Sequence, residues 1–462
     1  MFEHRRAQRH KWVAAAAAAL AGAITLSGCG GGGGGLTPSP TNDTTTPSTP
    51  VTLVVPTSQA PWNPAYAKLV EAYQAETGNK VDLREFPNPD VKTQQVNDIQ
   101  AQQHTFDVFQ INEGDLVQFN ENGWIQNLNE IDPGYEPDSA ILSYSNISRW
   151  NNELKLFASD GVLTSAPLLG NVDIFYYRKD IYAQLGLQVP TTWDQVIDNG
   201  KKIVEAGAAK YGGVFRTQGV PGTYAATYEF NALLNSAGGA WFSDPGTDWT
   251  PTAGSAAGVQ AATWFRELAK LGPEATSTIG QAQAIAAIQA GDAAQTYLVA
   301  AAAAQFEDES NSAVVGKIGH APLPRTPEGK SSSATGLWVL GVPTGLPEER
   351  AKAALDYIKW MTSEKAMTLF AQYGGIPTRS DAFAPAGITE AAQAALDAVK
   401  ETAENLPDRP TSLRYSFSTD ILNVTEPELQ NIAAGSATPQ EGMESIQTGL
   451  DEIIVRLGLP KK

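Results

Sequence analysis

One cysteine occurs in the 462-residue chain, so no disulfide can close within it and the folded body depends on packing for its stability. Histidine is almost as scarce: His4 and His10 fall in the first 28 residues, which leaves His104 and His320 for the remainder. Zinc sites built from Cys and His, and cysteine nucleophiles, lack the residues they need. Neither remaining His has a G-x-S-x-G nucleophile elbow near it, which argues against a Ser-His-Asp triad. Positive charge is also short, with 32 Lys and Arg against 50 Asp and Glu and a formal charge of −18. Residues 1–28 carry a net +3, so the rest of the chain stands at −21. Binding a phosphate backbone requires clustered Lys and Arg, and a nucleic-acid partner is excluded on that ground. Gly329-Lys330-Ser331 looks like the end of a phosphate loop, but Pro324 stands where its first glycine is required, so a solvent loop is expected. No cofactor and no metal ion is expected. Long apolar runs are lacking too: "WVAAAAAALAGAITL", from Trp12 to Leu26, is about 15 residues, short of the roughly 20 a spanning helix needs.

That run follows Arg5, Arg6, Arg9 and Lys11, the order of a basic and then an apolar region in a secretory signal. Leu26-Ser27-Gly28-Cys29 ends it and resembles the lipobox of bacterial lipoproteins, which implies a signal peptide over 1–28 and diacylglycerol attachment at Cys29. Two or more acyl chains make a stable anchor. Residues 29–50 are Cys29 followed by Gly, Ser, Thr and Pro with almost nothing apolar, the composition of a flexible spacer. The expected location is the outer face of the cytoplasmic membrane, with the lipid as the one membrane contact.

From Val51 onward the composition is globular, and about 410 residues suffice for two or three domains. "VTLVVPT", "KVDLREF" and "FDVFQI" read as strands. "NPAYAKLVEAYQAETG" reads as a helix with Tyr66, Leu69, Val70 and Tyr73 on one face and Gly78 as its stop. Thr192 with Gln195, and Thr438 with Pro439 and Glu441, have the spacing of helix N-terminal caps. Met443, Ile446, Leu450, Ile453 and Ile454 form a core-facing stripe. The alternation predicts an α/β protein with largely parallel sheets and no internal repeat.

Two long stretches and a shorter one carry a family resemblance: "APLLGNVDIFYYRKDIYAQLGLQVPTTWDQV" (Ala166 to Val196), "GLWVLGVPTGLPEERAKAALDYIKWMTSEKAMTLFAQYGGIPTR" (Gly336 to Arg379), and "FDVFQINEGDLVQFNENGWIQNL". Together they resemble the extracellular solute-binding proteins of ABC importers, in the family of the maltose- and oligosaccharide-binding proteins. The resemblance implies an α/β, two-lobed periplasmic-binding-protein fold with a ligand cleft between lobes joined by three chain crossings. Lobe 1 would take 51–165 and 337–380, and lobe 2 would take 166–336 and 381–462. It further implies a monomer that captures a carbohydrate, a di- or oligosaccharide, and delivers it to permease subunits without catalysis.

A sugar presents apolar faces and a rim of hydroxyls, so its site combines aromatic platforms with carboxylates, amides or Arg. Positions matching the family's cleft are Ser58, Gln59 and Trp62 after the first strand; Asn112, Glu113 and Asp115 after the third; Asn171 and Asp173 in the first crossing; and Tyr228, Glu229 and Trp241 before and after the Gly238-Gly239 turn. Trp338, Arg379 and Tyr415 complete the set. Maltose binders carry a Trp where this chain has Tyr297 followed by an Ala-rich run, so a platform is lost there and room is gained. A cell-surface glycoside hydrolase working through two carboxylates, or a binder of polyols or peptides, remains open at this point.

Overall fold

The computed structural model describes residues 50–60, 62–87, 90–221 and 224–462. The expected signal peptide, Cys29 and the spacer up to Thr49 lie outside the described residues. Among the described residues no helix is long and apolar enough to cross a membrane.

Eight strands organise the site: β1 (Thr52–Ser58), β2 (Lys80–Phe86), β3 (Phe109–Asn112), β4 (Ala166–Leu169), β5 (Asp173–Arg178), β6 (Gln295–Val299), β7 (Ile318–Ala321) and β8 (Trp338–Gly341). In the first lobe β1 pairs with β2, while β8 lies between β3 and β4. Asp107 ties the two groups together, its N–H donating to Val54 O at 2.9 Å and its Oδ2 accepting from Val54 N at 2.7 Å. In the second lobe β5 is central, flanked by β6 and β7. The expectation of largely parallel sheets is overturned: β1 and β2 run parallel, but β8 is antiparallel to β3 and β4, and β5 to β6 and β7. A strand–helix–strand sequence implies a parallel pair when the two strands become neighbours. Here β6 and β8 each arrive from far along the chain, so the intervening helices leave their direction unconstrained.

Local chemistry explains the elements. In α1 (Asn63–Thr77) the predicted face of Tyr66, Leu69, Val70 and Tyr73 is buried, and Gly78 closes the helix at φ +76°, a conformation only glycine adopts easily. The helix Pro439–Leu457 opens with the predicted reciprocal cap, Glu441 N–H to Thr438 Oγ1 at 3.2 Å and Thr438 N–H to Glu441 Oε2 at 3.0 Å. At Thr192 half of the motif forms: the hydroxyl accepts from Gln195 N, but the Gln195 side chain accepts from Thr191 N instead. Trp193 is fully buried, and Trp124, Trp264 and Trp360 pack against the two cores from partly buried positions.

The lobes are joined abruptly. β4 ends at Leu169 and β5 begins at Asp173, so the chain passes between sheets in three residues. A side chain at Gly170 would put its Cβ 2.6 Å from Pro377 O and onto the Tyr144 hydroxyl. Gly170 N–H donates to Ile376 O at 3.1 Å and Thr378 Oγ1 to Pro167 O at 2.9 Å, which packs this crossing against the segment 375–378. Gly170→Ala should lower the unfolding free energy by roughly 1–3 kcal/mol through overpacking, read as a fall in the urea midpoint at constant m-value.

Candidate binding cleft

A cavity of about 370 Å³ lies where the two sheets face each other. Its first-lobe wall is built by the ends of β1 and β3. Ser58 closes β1 with a buried hydroxyl that has no hydrogen-bond partner, and Gln59 and Trp62 follow it on the way into α1. Asn112 ends β3 and caps α2 (Glu113–Glu121), its Oδ1 accepting from Gly114 N at 3.0 Å. Trp62 and Trp338, the latter opening β8, have ring centroids 5.9 Å apart and make an aromatic corner.

The opposite wall comes from α3 (Ala226–Ser236) and the extended segment before it. The buried Glu426 carboxylate, from the helix Ser418–Ala434, accepts the N–H groups of Ala225, Ala226 and Thr227 at 3.1, 3.1 and 2.9 Å. It thereby satisfies the first-turn donors and places negative charge at the helix N-terminus. This fixes Tyr228 and Glu229 in the first turn. Tyr224 packs edge-on against Tyr228 at 5.2 Å, and its hydroxyl accepts from Asn231 Nδ2 and Leu413 N. Asn171, in the crossing, accepts Ala301 N–H on Oδ1 at 3.2 Å. Ala301, Ala302 and Gln305 line the side where the Ala-rich run was expected to leave room. Tyr297 itself is buried between Trp193 and Phe215 with its hydroxyl on Glu229 O, away from the cavity.

The cavity therefore gathers Ser58, Gln59, Trp62, Asn112, Glu113, Asn171, Tyr228 and Trp338 from the predicted set. Asp173 and Glu229 stand behind its wall: both are fully buried, Glu229 bonded to Arg216. Four others are elsewhere. Asp115, in the first turn of α2, turns to Lys92 at 2.6 Å. Arg379 holds Asp381 at 2.7 Å and Asp138 at 3.2 Å and is not among the residues lining the cavity. Trp241 and Tyr415 line a separate cavity of about 310 Å³ that shares Ser412 with the first, Trp241 donating to Asn231 Oδ1 at 2.7 Å and Tyr415 stacking on Phe417.

Arg216, Tyr224 and Gln281 were missed, and Arg216 is the most consequential of them. It is buried, with Nε on Glu229, Nη1 on Gln281 Oε1 at 3.1 Å, Nη2 without a partner, and the guanidinium over the Tyr228 ring at 4.7 Å. Burial raises the Glu229 carboxyl above its ordinary range, against the pull of Arg216. Glu113 is tied as firmly. It accepts from Thr335 Oγ1 at 2.8 Å, Leu337 N at 2.8 Å and Arg414 Nε at 3.0 Å, so its charge is compensated within the wall. Among the described lining residues Glu113 is the one carboxylate and Arg216 the one cation, and each has its counter-ion in place. The wall is polar, aromatic and nearly neutral.

Two lobes joined by short crossings around a cavity walled from both sides define a binding protein that holds a small molecule between its lobes. The chain belongs to the bacterial extracellular solute-binding protein family, whose description matches residues 57–368. It is 26% identical over 383 residues to the mannitol-binding protein of Pseudomonas aeruginosa, covering 79% of this chain and 84% of the relative. Its fold is similar to that of an ABC transporter solute-binding protein from Agrobacterium radiobacter K84 in complex with ribitol, at TM-score 0.70 and 21% identity over 88% of this chain and all of the other. It is similar in the same way to maltose-bound T. maritima MalE3, at TM-score 0.70 and 22% identity over 87% of this chain and all of that one.

Proposed function

We propose that this protein captures an uncharged carbohydrate in the interlobe cavity and hands it to the permease of an ABC transporter, working as a monomer held by lipid on Cys29. Lobe 1 is taken as 51–169 with 337–380 and lobe 2 as 173–336 with 381–462, joined near 170–172, 336–339 and 375–379; the boundary expected at 165/166 moves to the end of β4 because β4 pairs with β8. The observation that carries the reading is the pattern of unmet hydrogen-bonding capacity. Ser58 Oγ on one wall, and Tyr228 Oη and Arg216 Nη2 on the other, are buried lining groups without partners. Such groups stabilise a solute that brings hydroxyls to both walls, because a buried polar atom left unpaired is destabilising by about 1–3 kcal/mol. Contacts to both lobes also favour a closed form, and that differential affinity is the signal a permease can read.

Arg216 already occupies the cation position over Tyr228, which disfavours a cationic solute, and Glu113 has its charge met by Arg414. The relatives named above bind mannitol, ribitol and maltose; their shared chemistry is an uncharged array of hydroxyls, and the cavity volume lies at the small end of the usual ligand-site range. A two-carboxylate hydrolase would need a pair flanking one bond, whereas the described lining residues offer Glu113 alone, engaged by three donors. Calorimetric titration with D-mannitol, ribitol, maltose, a neutral amino acid and choline tests the proposal. Saturable binding of a carbohydrate that is recovered unchanged is expected; binding confined to the amino acid or choline, or conversion of the sugar to product, would sink it.

A further inference from the structure

Arg216 compensates one carboxylate, but two lie against it. Glu229 takes its Nε, and Gln281 takes Nη1. Asp173, at the start of β5, is 0% exposed, and neither of its oxygens completes a hydrogen bond. Its backbone N–H is satisfied by Ser333 Oγ at 2.7 Å, so the deficit is confined to the side chain. An ionised carboxylate in that position carries a desolvation penalty of several kcal/mol, and the usual resolution is uptake of a proton.

No other facing group supplies the missing charge. Tyr176 on the same strand and Tyr297 on β6 carry hydroxyls that burial raises well above their ordinary range, so both stay neutral. His320 on β7 packs against Tyr176 at 5.5 Å and is pushed down to about 4 by burial, so it is neutral as well. Across the cleft Glu113 is paired with Arg414. The helix Glu390–Glu404 packs against β5 and β7 with Lys400 turned to its own Glu404 and Glu401 to Arg325. Two neighbours keep spare capacity: Arg216 Nη2, on a guanidinium whose charge Glu229 already draws on, and Tyr228, whose hydroxyl is buried, without a completed partner, and acts on Asp173.

We propose that Asp173 carries a proton in the ligand-free protein and aims it at the Tyr228 hydroxyl, so that Tyr228 turns its own hydrogen into the cavity and meets a solute oxygen as a donor. Asp173 is then a positioning residue that touches no solute. Were it ionised, Tyr228 would donate inward and present only an acceptor. Burial, reinforced by the charge of Glu229, pushes the Asp173 carboxyl well above the usual carboxylate range, with Arg216 and Tyr228 opposing. The consequence for solute rests on the cavity being the binding site, but the proton itself is tested without any solute.

Infrared spectra of the ligand-free protein carrying carboxyl-labelled aspartate should show the carbonyl band of a protonated acid near neutral pH. The label separates it from Glu229 and Glu426. Asp173→Asn should abolish the band, and Tyr228→Phe should move it to higher frequency because the acid loses its acceptor. A protonated-acid carbonyl region that is the same in wild type and Asp173→Asn, with the difference confined to the carboxylate stretch, would show an ionised Asp173 and overturn the proposal. If Asp173→Asn fails to fold, Tyr228→Phe decides alone: an aspartic-acid band that shifts supports the proposal, and a missing or unmoved band overturns it.

Discussion

Arg414→Ala should lower the unfolding free energy by about 3–5 kcal/mol, the range found when one partner of a buried ion pair is removed. The side chain is 1% exposed, and each nitrogen is placed. Nε meets Glu113 at 3.0 Å, Nη2 meets Thr335 Oγ1 at 3.1 Å, and Nη1 reaches the carbonyls of Tyr144 and Ser145 at 2.9 and 3.2 Å. Those carbonyls belong to a turn in which Tyr144, Ser145 and Asn146 all have positive φ, of 45°, 57° and 62°. Each such residue is destabilised by roughly 1–2 kcal/mol relative to ordinary backbone, so the turn persists only because surrounding bonds hold it. Losing the guanidinium leaves Glu113 short of its counter-ion and releases the turn at once. Chemical denaturation measures the loss. Combining Arg414→Met with Glu113→Gln should recover part of it, since a neutral pair has no buried charge to compensate. Equal stability of Arg414→Ala and wild type would remove this network from the account.

Arg216→Ala should weaken carbohydrate binding by roughly 10- to 150-fold, the equivalent of about 1.5–3 kcal/mol for a hydrogen bond to a charged group. It removes Nη2 from the cavity wall, and it leaves Glu229 and Asp173 buried together without a cation. The pH dependence of stability follows from the sign of the shift. Burial holds the Glu229 carboxyl above its unfolded value, and deleting Arg216 raises it further. A carboxyl whose native pKa is raised binds more protons in the native than in the unfolded state, so stability falls as pH rises above the unfolded value. Thermal unfolding of Arg216→Ala should therefore lose midpoint from pH 5 to pH 8 more steeply than wild type. A parallel profile would contradict the placement of Arg216 as the counter-ion.

Much of the scaffold was legible because it depends on local pattern. The four-residue face of α1, the stop at Gly78 and the cap at Thr438 are short-range rules, and each formed as read. Sheet direction was not legible, since it depends on where β6 and β8 return after long excursions. The cleft was legible wherever a strand end delivers a residue directly, as with Ser58, Asn112 and Trp338, or a three-residue crossing does, as with Asn171. It failed where a half-turn rotation decides the outcome: Asp115 lies two residues past Glu113, on the other side of the helix, and faces Lys92 and solvent. Arg379, in a crossing segment, looked like a ligand group but is held by Asp138 and Asp381. Arg216 had no signal beyond a cation in the run "GGVFRTQG", and its partners Glu229 and Gln281 are 13 and 65 positions away. The ring of Tyr415 joins Trp249 and Phe417 rather than the cleft, a packing preference that spacing does not record.

The most direct test of the central claim is a crystal structure of the protein with the carbohydrate that binds it most tightly. The account predicts the solute between the Trp62–Trp338 corner and the Arg216–Tyr228 wall, with its hydroxyls on Ser58 Oγ, Tyr228 Oη and Arg216 Nη2. Solute bound in the cavity of Trp241 and Tyr415, or anywhere else with those three atoms still unpartnered, would contradict it.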